Sequence, residues 1–82
     1  MDYDFEEINS AGNCFYIRWR HNDFASTPGE YIIDIYGDEE CNDAVESYTI
    51  YIRVKDEWDD EMKSCWINQE IASSVRKTIE YL

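Results

Sequence analysis

The residues most able to do chemistry in this chain are its carboxylates, which fall in three clusters. Asp2, Asp4, Glu6 and Glu7 form the first. Asp38, Glu39, Glu40, Asp43 and Glu46 form the second, and Asp56, Glu57, Asp59, Asp60 and Glu61 the third. Acids near a helix N-terminus interact favourably with its dipole, by about 0.3–1 kcal/mol each. Two would serve that purpose, and five within six residues exceed it. Carboxylates at this density present charge at spacings comparable to duplex phosphates, one per about 1.7 Å of axis. A protein that grips phosphates with Lys and Arg would grip such a row as well.

Other chemistries fare less well. The run Asp38-Glu39-Glu40-Cys41-Asn42-Asp43 offers hard oxygen ligands but lacks the Asp-x-Asp-x-Asp-Gly spacing of a calcium loop. Cys14, Cys41 and Cys65 are isolated, and His21 is the only histidine, so no ligand pairs suit zinc. No Gly-rich loop could cradle a phosphate. Acid–base catalysis needs carboxylates in a cleft with perturbed pKa values, which 82 residues with acids on loops rarely build. The sequence therefore predicts a binding protein with no cofactor and no metal, and not an enzyme.

The elements that must carry these clusters follow from periodicity. Residues 14–20 alternate, with Phe15, Ile17 and Trp19 on one face. Residues 31–36 put Tyr31, Ile33 and Ile35 together, and residues 48–54 do the same for Tyr48, Ile50, Ile52 and Val54. Period two with β-branched and aromatic residues predicts three strands. Ser26-Thr27-Pro28-Gly29 and the acidic stretch after Gly37 suit hairpin loops. Trp58, Met62, Cys65 and Trp66, then Ile67, Ile71, Val75, Ile79 and Leu82, recur at helical spacings. They predict one helix, or two with a cap at Asn68, over about 57–81.

The expected fold is α+β: a three-stranded antiparallel sheet covered on one face by the C-terminal helix or helices. The chain reads as a single domain, 1–82, with residues 1–12 either a mobile segment or a short helical turn pinned by Phe5 and Ile8. The expected core is Phe15, Ile17, Trp19, Ile33, Ile50, Ile52, Met62, Trp66, Ile71 and Val75.

Charge narrows the partner. Nineteen Asp and Glu against seven Lys and Arg give a formal net charge of −12. That exceeds the magnitude of about 2–8 that solubility asks of a small domain, and its self-repulsion opposes compaction. Thirteen aromatic residues (three Trp, seven Tyr, three Phe) set the chain apart from a disordered acidic tail. Such a charge predicts a basic protein partner, one that itself binds nucleic acid, and no direct contact with nucleic acid. No apolar run reaches the length of a membrane span. The start lacks a basic and apolar leader, and the odd, scattered cysteines suit a reducing cytosol, so a cytoplasmic location is expected.

Two surfaces compete as the binding site. The acidic loops are the first choice: Asp38, Glu39, Glu40, Asp43 and Glu46 with Asp56, Glu57, Asp59, Asp60 and Glu61. The second choice is the outward sheet face, which should display Tyr16, Arg18, Tyr36 and Tyr51, residue types enriched at interface hot spots. Cross-strand pairing of Arg18 with Asp34 would explain that face without a partner.

Taken together, the strands at 14–20, 31–36 and 48–54, the helical end and the acidic runs at 38–46 and 56–61 resemble the small acidic inhibitors of phages and mobile elements. These are the anti-CRISPR proteins and other nucleic-acid mimics. The resemblance implies stoichiometric inhibition of a nuclease or defence complex through its basic groove. An acidic immunity protein that neutralises a toxin, or a host adaptor domain with a basic partner, are the alternatives.

Overall fold

A computed structural model describes residues 2–82. Four strands form one antiparallel sheet in sequential order: β1 (Phe5–Ile8), β2 (Cys14–His21), β3 (Glu30–Tyr36) and β4 (Ala44–Tyr51). A single helix, α1 (Asp60–Thr78), follows and tightens into a 3₁₀ turn at Ile79–Tyr81. The expected α+β architecture holds, with four strands in place of three.

The added strand is β1, where a mobile segment or helical turn was expected. Phe5 lies opposite Ile17 and packs against the core, while Glu6 faces Tyr16. A four-residue strand at the sheet edge, carrying two glutamates, is a common way to blunt an edge. The β1–β2 connection is held by Asn9, which is 7% exposed. Its Oδ1 accepts the Asn13 amide at 2.9 Å and its Nδ2 donates to the Ile79 carbonyl at 3.0 Å. One side chain thus closes the hairpin and satisfies a carbonyl at the helix end.

The last strand is also shifted. It covers Ala44–Tyr51, not 48–54, with a bulge opposite Ile35/Tyr36. Beyond Tyr51 the alternation continues in sequence, but β3 begins at Glu30 and offers little more to pair with. One bond remains, from the Ile52 amide to the Gly29 carbonyl at 2.8 Å. Gly29 has φ +87, and a Cβ there would lie 2.5 Å from the Ile52 carbonyl oxygen. Both the turn and the close approach require glycine.

The core lies between the sheet and the C-terminal half of α1. Phe15, Ile17, Tyr31, Ile33, Ile35, Ile52, Ile71, Val75 and Ile79 are buried, with Phe5, Trp19, Tyr48, Ile50 and Ile67 packed around them. The Tyr48 and Ser74 hydroxyls meet at 3.0 Å across the layer. Asn68 caps nothing, because α1 is continuous. Two expected core residues are not core: Met62 is 51% exposed and Trp66 39% exposed. At 100° per residue, Met62 points about 180° and Trp66 about 140° away from Ile71. The two runs of apolar residues that the sequence joins into one stripe occupy opposite faces of the helix.

Candidate partner-binding surface

The second acidic cluster sits in the β3–β4 loop, and part of it builds that loop. Asp38 is half-buried, and its Oδ1 accepts the amides of Asn42 and Asp43 at 2.9 and 2.8 Å. The Gly37 amide donates to the Asp43 carbonyl at 2.9 Å. Cys41 takes φ 59, a left-handed conformation that non-glycine residues adopt at a cost. Glu46, exposed on β4, accepts the Ser47 amide at 2.9 Å. Glu39 and Glu40 are exposed, and their carboxylates make no hydrogen bond among the described residues.

The third cluster lies at the other end of β4, whose eight residues span about 26 Å. Asp59 is the N-cap of α1, with Oδ1 accepting the Met62 amide at 2.8 Å. Asp60 and Glu61 occupy the first turn, where the dipole favours them. Asp56 and Glu57 form the preceding turn and are exposed. None of these four other carboxylates accepts a hydrogen bond among the described residues.

The first cluster, given no role in the site by the sequence, joins the second in space. A bend at Asp4 carries residues 2–4 onto the outward sheet face. There the Asp4 amide donates to the Ile17 carbonyl at 2.8 Å, and Asp4 Oδ2 accepts the Trp19 amide at 2.9 Å. Tyr3 sets its ring edge-on to Tyr16, with centroids 5.0 Å apart. The Cys41 thiol reaches the Asp2 carbonyl at 3.5 Å. Asp2 and Asp4 thereby lie beside the β3–β4 loop. Period two gave no signal for this, since it puts Tyr3 and Phe5 on one face, and the bend at Asp4 separates them.

That arrangement alters the second-choice face. Tyr16 and Tyr36 are half-buried, Arg18 and Tyr51 exposed, and the Tyr51 hydroxyl donates to Glu30 at 3.3 Å. Arg18 and Asp34 are opposite in register, yet Asp34 accepts the Ser47 hydroxyl at 2.7 Å and makes no ion pair with Arg18 within 4.0 Å. Asp2, Asp4, Arg18, Arg20, Asp34 and Tyr36 line an open depression of about 610 Å³. Hydrogen bonding to the Cys14 side chain, burial and the charges of Cys14, Glu39 and Glu6 push the Tyr16 hydroxyl up to about 12. Burial, with Glu6 and Glu39, raises Tyr3 as well. Burial raises the Cys41 thiol, and Arg18 opposes that rise.

The electrostatic result is plain. Among the described residues the one ion pair within 4.0 Å joins His21 and Asp23, at 2.7 Å. No Lys or Arg neutralises a carboxylate at that range. No group of three or more His, Cys, Asp or Glu among the described residues is disposed to hold a metal ion. No helix among the described residues is long and apolar enough to cross a membrane. The chain matches no family model, no curated protein and no solved structure.

Proposed function

We propose that this protein is a stoichiometric inhibitor that occupies the basic nucleic-acid-binding surface of a nuclease or defence complex. The observation that carries the reading is the uncompensated acidity of its surface. Nineteen carboxylates fold without a single Lys or Arg ion pair within 4.0 Å among the described residues. Self-repulsion opposes such a fold, so the charge is retained against a cost to stability. A partner that supplies Lys and Arg relieves that repulsion on binding. Opposite potentials also speed encounter, and like-charge contacts at an interface cost several kcal/mol.

The acids whose carboxylates accept no hydrogen bond form the contact in this reading. Glu39 and Glu40 contribute at one end of β4, with Asp2 beside them. Asp56, Glu57, Asp60 and Glu61 contribute at the other. Asp38, Glu46 and Asp59 hold the backbone that presents them. The protein performs no chemistry and binds no nucleic acid itself, and it acts in the cytosol alongside its target.

Affinity capture from a host lysate, followed by mass spectrometry, identifies the partner. A basic, nucleic-acid-binding protein is the expected catch, held less tightly as salt rises, since exposed pairs are screened beyond about 8 Å at physiological ionic strength. A gel shift is the complementary check. Sub-micromolar binding of this protein to DNA or RNA at physiological salt contradicts the reading.

A further inference from the structure

Trp58, Met62, Cys65, Trp66 and Gln69 line a shallow groove of about 250 Å³ on the face of α1 opposite the core. The indoles of Trp58 and Trp66 meet edge to face, with centroids 6.0 Å apart. Met62 is 51% exposed and Trp66 39% exposed, and neither belongs to the core cluster. Lys55 sits over the Trp58 ring at 5.9 Å. Around the groove, residues 55–63 carry Asp56, Glu57, Asp59, Asp60 and Glu61 against Lys55 and Lys63. An aromatic floor beside a concentrated negative charge is a combination that neither core packing nor capping explains.

We infer that this groove docks a cationic amphipathic segment of the partner protein, an apolar anchor flanked by Lys or Arg. The inference rests on the proposed function and deepens it, because it gives one acidic cluster an apolar anchor point. Charge complementarity selects the occupant. A second copy seated patch to patch would set each acidic rim against its like, since a two-fold interface pairs the same surface with itself. An anionic membrane is disfavoured by the same carboxylates. A basic segment meets attraction at the rim and burial at the centre, the arrangement of an interface hot spot.

The test uses synthetic peptides of about 14 residues, four helical turns. One pairs leucine and lysine in an amphipathic pattern, a second has serine for each leucine at equal charge, and a third has glutamate for each lysine. The leucine–lysine peptide should bind at least about tenfold more tightly than the serine–lysine peptide. It should shift the indole NMR signals of Trp58 and Trp66 while leaving Trp19 in place. The glutamate peptide should not bind. Trp66→Ala and Met62→Ser should each reduce the leucine–lysine affinity towards that of the serine–lysine peptide. Both positions are exposed, and circular dichroism checks that the fold persists. Equal binding of the two cationic peptides, or unchanged affinity in both variants, overturns the groove and leaves the acidic-surface reading standing. Failure of both cationic peptides to bind overturns both. Self-association of the wild type that Trp66→Ala abolishes, or binding to lipid vesicles, also overturns the basic segment as occupant.

Discussion

The two acidic segments that flank β4 are built differently. In residues 38–46 two of the five acids are bound into the structure, Asp38 capping the loop amides and Glu46 accepting from Ser47, and Asp2 and Asp4 close in from the N-terminus. In residues 56–61 only the Asp59 carboxylate accepts a hydrogen bond, and the helix that follows turns an apolar groove outward. One end of the molecule uses its charge partly to hold itself together. The other leaves nearly all of it available. Acid density in sequence therefore overstates the free charge of the first segment and describes the second well.

The largest expected effect sharpens this contrast along α1. Ile71→Ala should cost about 2–5 kcal/mol, since it empties a fully buried site facing the sheet. Met62→Ala, two and a half turns earlier on the opposite face, should stay within about 0.5 kcal/mol. Chemical denaturation of both variants reads the difference. Equal losses would mean that the exposed end is packed after all.

Next come the carboxylates with local tasks. Asp59→Ala should destabilise by about 0.5–2 kcal/mol through loss of the helix cap. Asp38→Ala should cost about 1–3 kcal/mol, because two loop amides lose a charged acceptor. Glu39→Gln and Glu40→Gln should be neutral within about 0.5 kcal/mol or slightly stabilising, by relieving repulsion, whereas Asp60→Asn and Glu61→Gln should each lose no more than about 1 kcal/mol, the helix-dipole interaction offset by the same relief. Thermal melts of the set separate the two classes. A large loss in the second class would show hidden structural work.

The smallest effect is alkaline. The folded Tyr16 hydroxyl lies near 12, above its ordinary 10.0. A raised folded value means the native state holds its proton more tightly. The associated stability is present below pH 10 and is lost as pH rises towards 12. Absorbance titration should find Tyr16 the latest tyrosine, with Tyr3 and Tyr31 also raised, and Glu39→Gln should move Tyr16 down, since Glu39 contributes to the shift. Normal titration of all seven tyrosines would contradict the Tyr16–Cys14 hydrogen bond and the burial of Tyr16 that raise it.

Much of the fold was legible in the sequence. The alternation in 14–20 and 31–36 located β2 and β3, because one buried face imposes period two. β1 was hidden because Glu6 and Glu7 depress strand propensity and only Phe5 packs inward. The start of β4 was hidden because Ala44-Val45-Glu46-Ser47 meets β3 through a bulge, which breaks the alternation. On the helix, spacing identified two apolar runs but could not say which one the sheet would cover. That choice is made by chain geometry: Ile71, Val75 and Ile79 are delivered to the sheet, and Met62 and Trp66 are turned from it. The acidic clusters were visible as sequence, whereas the meeting of Asp2 and Asp4 with the β3–β4 loop needs the fold.

The central claim is that the acidic surface takes the place of nucleic acid on its partner. Competition between this protein and labelled nucleic acid for the captured partner tests it most directly. The wild type should displace the nucleic acid at about one equivalent when the partner exceeds its dissociation constant. Reversing Asp56, Glu57, Asp60 and Glu61 to Lys should abolish displacement, with circular dichroism unchanged. A ternary complex of partner, nucleic acid and this protein, or full displacement by the reversed variant, would contradict the account.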